Sequence, residues 1–397
     1  MKISYGKCVQ TNKDLAAVVK ALKEGTQMNK NTKKFEKKIS SLFKKKFGLM
    51  TNSGSSALLL AYETLSIKKG SNFITPVLNF STTVSMMIKS GYIPNFVDIN
   101  PKTFCIDENK IEKSINKKTA ALVIPNLIGV IPNYKKIKFL AKKYNLLIIE
   151  DSADTLGALY NKKSTGNYSD ISITSFYGSH IITCAGNGGF VGFNNKKSFL
   201  KAKLLRSWGR RSSLYDGKSE SIKNRFGTKI SNIPYDKKFI FDEIGYNLEP
   251  SEIGCAYGLE QFKRLKKNIS IRKKNFIFHN LYFKKKPDYF QTPELDKNSD
   301  SALLAYPLTI KPNKYFNRND LQIFLEKNHI QTRPVFTGNI IKQPGFKKIK
   351  CIKDKKYENA DFVMKNSMLI GCHHGLRLKE INYIHKIINK FLVSKLP

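Results

Sequence analysis

The chain has 397 residues, enough for one large domain with a smaller companion, and is 41% hydrophobic and 25% charged, an ordinary globular composition with material for a buried core. It has no run of about 18 apolar residues, and its start, Met1-Lys2-Ile3-Ser4-Tyr5-Gly6, has no secretory apolar segment, so a membrane span is excluded and a cytoplasmic location is expected. The formal net charge of +40 raises nucleic acid as a partner, but the lysines are strewn along the whole chain (Lys44-Lys45-Lys46, Lys284-Lys285-Lys286, Lys355-Lys356) with no aromatic-interleaved basic motif; they read as solvated surface whose field favours an anionic small substrate.

In chain order, an apolar run at 48–51 leads into the turn Asn52-Ser53-Gly54-Ser55-Ser56, and 57–62 reads as a helix. Short strands are predicted at 72–76, 95–99 and 121–125, then a crossover helix over 134–143, a buried strand at 146–151 and another at 170–176. Strands alternating with helices predict an α/β fold with a mixed, mostly parallel central sheet flanked by helices. From about Pro250 the pattern changes: a helix runs from Ser251 towards Lys267, a strand covers 302–308, and a helix over 320–327 opens on an Asn319-Asp320 cap signal. We therefore expect a large domain over 1–249, with an N-terminal helical segment, and a smaller α+β domain over 250–397. The six cysteines, Cys8, Cys105, Cys184, Cys255, Cys351 and Cys372, form no CxxC pair, so neither a disulfide framework nor a metal site is expected.

Three places carry chemistry. The turn at Gly54-Ser55-Ser56 feeds a helix N-terminus, where free N–H groups and hydroxyls make an anion site, although such turns also simply cap helices. Asp151 ends the most apolar strand, where α/β folds bind ligands; it could hold a pyridinium N–H or merely cap the next helix. His180 follows Ser175-Phe176-Tyr177-Gly178-Ser179 past a strand end and precedes the Gly-rich turn Gly186-Asn187-Gly188-Gly189.

This order of motifs, with Phe35-Glu36, Phe96-Val97-Asp98-Ile99 and Gly245-Tyr246-Asn247, resembles the DegT/DnrJ/StrS family over nearly the whole chain. The resemblance implies a fold-type-I enzyme using pyridoxal or pyridoxamine 5'-phosphate on nucleotide-linked keto sugars, with residues 1–249 as the cofactor-binding domain. It assigns Gly54, Ser55, Ser56 and Ser175 to the cofactor phosphate, Phe80 to the ring face, Asp151 to the ring nitrogen and Asp154 to the cofactor's face or phenolate. Asn247 is assigned to the phosphate of a neighbouring subunit, which implies a homodimer with shared active sites.

His180 aligns with the family's catalytic lysine. A lysine links covalently to the cofactor, whereas an imidazole does not form that link stably but remains a base near neutral pH. The similarity is therefore greatest to the family's sugar 3-dehydratases, in which the untethered amine form meets a 4-keto-6-deoxy sugar and the C3 hydroxyl leaves. One such group recycles the cofactor with glutamate as amino donor; the other carries a [2Fe–2S] cluster, and Trp208-Gly209-Arg210, Arg225-Phe226-Gly227 and Thr332-Arg333 look like its segments. Cysteines crowd that second group's chain after Trp-Gly-Arg. Here Arg211-Ser212-Ser213-Leu214-Tyr215-Asp216-Gly217-Lys218 contains none, so no cluster is expected. Substrate contacts are expected of Trp208, Glu249, Arg333 (towards an anionic group) and His373, although core packing suits Trp208 and an ordinary surface position suits Arg333 equally. A sugar aminotransferase and a non-catalytic member of the family are the rival readings.

Overall fold

The computed structural model describes residues 1–215 and 222–395. Positions 216–218 of the cysteine-free segment therefore lie outside the described residues. The principal helices and strands, in chain order, are α1 (Asn12–Glu24), α2 (Lys30–Phe43), β1 (Phe47–Thr51), α3 (Gly54–Glu63), β2 (Asn72–Pro76), α4 (Ser81–Lys89), β3 (Ile93–Val97), β4 (Thr119–Pro125), α5 (Tyr134–Lys143), β5 (Leu147–Asp151), β6 (Ile171–Ser175), β7 (Gly189–Phe193) and α6 (Lys196–Arg206). After a long arm come α7 (Glu252–Lys263), α8 (Leu265–Lys284), β8 (Phe290–Gln291), β9 (Ala305–Ile310), α9 (Arg318–Lys327), β10 (Thr332–Pro334), α10 (Glu358–Asn366), β11 (Ser367–Gly371) and α11 (Leu378–Lys395).

The first seven strands form one sheet in the order β1-β7-β6-β5-β4-β2-β3. Five of them, β6, β5, β4, β2 and β3, run parallel; β7 is antiparallel to both its neighbours. Every residue of β2 and β7 is buried, as a sheet covered on both faces requires. The sheet is thus mixed and mostly parallel, as the alternation of patterns predicts. Its carboxyl ends converge on one edge, and there the functional residues gather.

A second, antiparallel sheet has the order β8-β9-β11-β10. Tyr306, Leu308, Met368 and Ile370 bury one face of it against Phe283 of α8, Leu325 of α9 and Ile384 of α11. A further core cluster joins the two sheets, with Val77 and Leu127 packed beside Ala305 and Leu369. Beyond position 250, α7 packs on α1 and α2, while Ile3 forms a parallel bridge with Ile330. Among the described residues no helix is long and apolar enough to cross a membrane.

Several boundaries differ from the sequence reading for identifiable reasons. The strand expected at 95–99 ends at Val97, because the Asp98 carboxylate accepts the main-chain N–H of Ile99 and of Ala360. Residues 302–304 do not join β9; the Leu304 N–H is drawn to the Ile128 carbonyl at 2.6 Å. The cap of α9 is Asn317, and Asp320 is the reciprocal member of a capping box. The helix expected from Ser251 to Lys267 is two helices that meet at Arg264.

Candidate active site

A cavity of about 440 Å³ opens between the two sheets. Ser53, Gly54 and Ser55 reach it from the turn after β1, Phe80 and Thr83 from the start of α4, and Asn126 from the end of β4. Asp151, Asp154, Ser175 and His180 line it from the ends of β5 and β6, and Arg333 of β10 and Phe336 just beyond that strand close it from the side of the second sheet.

At one end the cavity meets the N-terminus of α3. The Ser53 hydroxyl caps the helix by accepting the Ser56 N–H at 3.1 Å, while the N–H groups of Gly54 and Ser55 make no hydrogen bond among the described residues. A Cβ on Gly54 would lie 2.8 Å from the Ser175 Cβ and 3.1 Å from its Oγ, so glycine is what lets this hydroxyl stand at the helix mouth. Two free N–H groups, a hydroxyl and the positive helix end form an anion cradle.

In the depth of the cavity Asp151 is buried. Its Oδ2 accepts the Thr83 hydroxyl at 2.6 Å and its Oδ1 the Ala153 N–H at 3.1 Å. Burial raises its pKa, the two donors counter that rise, and the neighbouring Glu150 adds to it. Asp154, which accepts the Ile128 N–H at 2.8 Å, is pushed up to about 7 by burial, with the charge of Asp151 adding to the rise. No cation forms an ion pair with either carboxylate among the described residues, so the pocket suits a cationic N–H.

The His180 imidazole lines the cavity from the turn after β6. Its Nδ1 lies 3.0 Å from the Ser175 carbonyl oxygen, which can only accept, so Nδ1 carries the hydrogen and Nε2 keeps its lone pair. Burial of the ring holds its pKa down at about 4, with the Ser175 hydrogen bond opposing the shift and the charge of Arg272 adding to it. The imidazole is therefore neutral at pH 7. Among the described residues no lysine lines the cavity.

Of the residues singled out from sequence, Gly54, Ser55, Phe80, Asp151, Asp154, Ser175, His180 and Arg333 line this one cavity, and five others do not. Ser56 turns its hydroxyl to the Asn52 side chain at 2.6 Å. His373 is buried off the cavity, with Nε2 donating to the Ser4 carbonyl at 3.1 Å and Nδ1 accepting the Gly375 N–H. Glu249 accepts the Ser207 hydroxyl at 2.6 Å. Trp208, at φ 59°, lies beneath the Arg210 guanidinium on the exposed arm. Asn247, in an isolated bridge with Ser207, is exposed on the same arm, away from its own chain's cavity.

Sequence reasoning missed Thr83, Asn126 and Tyr5. Asn126 carried a usable signal, a polar residue directly after an apolar parallel strand. Tyr5 carried none, since only tertiary packing brings the N-terminal segment to the cavity, where the Arg333 guanidinium lies 5.6 Å from its ring.

A mixed seven-stranded sheet with a smaller antiparallel unit, enclosing a helix-mouth anion cradle and a buried strand-end aspartate, defines the class of pyridoxal-phosphate-dependent transferases of fold type I. The chain belongs to the DegT/DnrJ/EryC1/StrS aminotransferase family, whose pattern matches residues 9–389. It is 34% identical to the lipopolysaccharide biosynthesis protein RfbH of Salmonella typhimurium, over 90% of this chain and 83% of that protein. It is 30% identical to the UDP-4-amino-4,6-dideoxy-N-acetyl-beta-L-altrosamine transaminase of Campylobacter jejuni, over 94% of this chain and 92% of that protein. The Escherichia coli GDP-4-keto-6-deoxy-D-mannose-3-dehydratase, solved with hydrated PLP bound, superimposes with a TM-score of 0.86 at 26% identity, covering 98% of this chain and 100% of that one.

Proposed function

We propose that the chain is a pyridoxal/pyridoxamine-phosphate-dependent 3-dehydratase of a nucleotide-linked 4-keto-6-deoxyhexose, acting in deoxysugar synthesis for surface polysaccharide. The observation that carries this reading is the cavity's base. It is an imidazole with a free Nε2, no lysine among the described residues lines the cavity to tether a cofactor aldehyde, and the partner residues for such a cofactor surround it.

The cavity fits the cofactor. Gly54 and Ser55 offer two unused N–H groups and Ser175 a hydroxyl to its phosphate, and a side chain on Gly54 would fill that cradle. Asp151, buried without a cation, is matched to a pyridinium N–H, which would hold the carboxylate ionised. Phe80, half exposed at the cavity wall, offers a face for the ring. When bound, the cofactor supplies an electron sink conjugated to the reacting carbon.

With the cofactor and sugar in place, His180 would take at Nε2 the proton given up by the cofactor's methylene carbon, while its Nδ1–H stays on the Ser175 carbonyl, so the ring neither turns nor changes tautomer. The charged ring then delivers that proton to the C3 oxygen, which departs as water. Phosphate and sugar-nucleotide anions near the ring would raise its proton affinity from the low value that burial sets towards the working range. Arg333, with no carboxylate partner among the described residues, holds an anionic group of the sugar nucleotide or of the amino donor, such as glutamate. The reading has no iron–sulfur cluster, since no cysteine lines the cavity.

A cytoplasmic homodimer completes it. The arm before α7 exposes Phe226, Phe239, Phe241 and Ile244, an apolar surface suited to a second copy that would bring Asn247 to the partner's phosphate cradle. The test is mass spectrometry of products from CDP-, GDP- and dTDP-4-keto-6-deoxyhexoses with pyridoxamine phosphate present. A 3-deoxy product is expected. A 4-amino sugar would replace this reading with transamination, and no cofactor binding and no turnover would replace it with a non-catalytic role.

A further inference from the structure

Along the buried side of α8 runs a polar stripe of Asn268, Arg272, Asn275 and His279, each 5% exposed or less. A buried helix face ordinarily carries apolar residues. Here every member of the stripe donates to main-chain carbonyls, all of them in irregular segments except that of Gly371, the last residue of β11. Asn268 Nδ2 reaches the Ile181 oxygen at 3.3 Å, Asn275 Nδ2 the His373 oxygen at 3.0 Å, and His279 Nε2 the Gly371 oxygen at 3.1 Å. Arg272 lies at the centre. Its Nη1 donates to the carbonyls of Leu303 and Leu304 at 3.1 and 2.9 Å, its Nη2 to that of His180 at 3.5 Å, and its Nε to Nδ1 of His374 at 3.3 Å. No carboxylate meets this fully buried guanidinium among the described residues. Burying an uncompensated cation is costly, so simple packing does not account for it.

The carbonyls of His180 and Ile181 belong to the turn that carries the base, and no sheet orders that turn. Its ring is held from the other side by the Ser175 carbonyl. The geometry therefore points to Arg272, with Asn268 beside it, as the positioning pair for His180: they pin the main chain of the turn from α8 so that the Nε2 lone pair is presented to the cavity. This inference rests on the reading of His180 as the base. Other groups that line the same cavity are Tyr177 of the same turn, Tyr5 of the N-terminal segment, Asp151 at the end of β5, Asp154 after it, and Arg333 of β10; His373 and His374 follow β11 near the guanidinium. The charge of Arg272 adds to burial in keeping His180, His373 and His374 neutral.

The experiment compares the full-length protein with Asn268→Leu, Arg272→Gln, Arg272→Lys and His180→Asn. In Asn268→Leu and Arg272→Gln, kcat is expected to fall about 10²-fold, the scale of a misplaced catalytic group, with KM within about twofold. In Arg272→Gln the acid limb of the kcat profile moves to higher pH, and Arg272→Lys returns the limb without restoring full kcat. In the unloaded protein, ¹⁵N-histidine spectra (His180 assigned by its absence in His180→Asn) show one tautomer, Nδ1–H, in the wild type and a mixture in Asn268→Leu. Unchanged kcat and an unchanged single tautomer in Asn268→Leu overturn the inference, even if Arg272→Gln fails to fold. Full activity in His180→Asn overturns the reading of the base instead, whatever the α8 variants do.

Discussion

Ser175 meets the cavity twice: its hydroxyl stands at the mouth of α3 and its carbonyl orients the His180 ring. Any change that moves it disturbs both the anion cradle and the His180 ring. Gly54→Ala puts a Cβ 2.8 Å from the Ser175 Cβ, so pyridoxamine-phosphate affinity should drop about tenfold or more, as for the loss of a buried hydrogen bond, in an absorbance titration. Replacing the proposed base should separate binding from chemistry. His180→Asn is expected to bind the cofactor with wild-type affinity and to lose at least about 10² in kcat, the usual contribution of a general base; unchanged turnover would sink the assignment. The residues of the cradle and the strand-end Asp151 were legible in the sequence because their chemistry follows from local order: apolar strand, polar turn, helix start. Thr83 was not, since nothing local shows that its hydroxyl points at Asp151 across the sheet edge.

Among elements, α8 shows why pattern reading stops short. Its inward face mixes Leu265 and Phe283 with Asn268, Arg272, Asn275 and His279, so the apolar period that marks an amphipathic helix is broken. The second sheet is conventional by contrast, and its centre should behave as ordinary core. Leu308, fully buried in β9 between the helices, should cost about 2–5 kcal/mol on replacement by alanine, read from urea unfolding. A loss well below 1 kcal/mol would mean that the second sheet does not unfold with the rest. The strand at 302–308 was misjudged by three residues at its start because an apolar stretch reads the same whether its N–H groups meet a neighbouring strand or, as at Leu304, a loop carbonyl.

For the molecule as a whole, acid sensitivity follows from groups buried in the wrong charge state. His373 is held at about 4 and His374 and His279 at about 3, chiefly by burial. Each is unprotonated in the fold but takes a proton in the unfolded chain below about 6.5, so each removes stability as pH falls from there, by at most about 1.4 kcal/mol per pH unit. Asp154 works in the opposite sense: raised to about 7, it takes up a proton in the fold while the unfolded chain stays ionised down to the ordinary aspartate value of 3.8. Asp154→Asn should therefore make the fall in Tm between pH 7 and pH 5 steeper than in the wild type; an equal or shallower slope would show that Asp154 is ionised in the fold throughout. On the proposed homodimer, Ile244→Asp, at a side chain 97% exposed in the single chain, should leave the Tm of the monomer unchanged and shift sedimentation towards the monomer.

By itself the sequence determined the alternation of buried strands and helices, the polar turn at the start of α3, the strand-end carboxylate and a histidine just past the end of β6, because each of these depends on residues adjacent in the chain. Tertiary structure alone decided which face His180 presents, which partner holds its ring, and that the cavity takes one wall from β10 and another from Tyr5. Those outcomes depend on contacts between residues far apart in the chain, such as Arg272 with the carbonyl of His180, and no local pattern of polarity encodes such a contact.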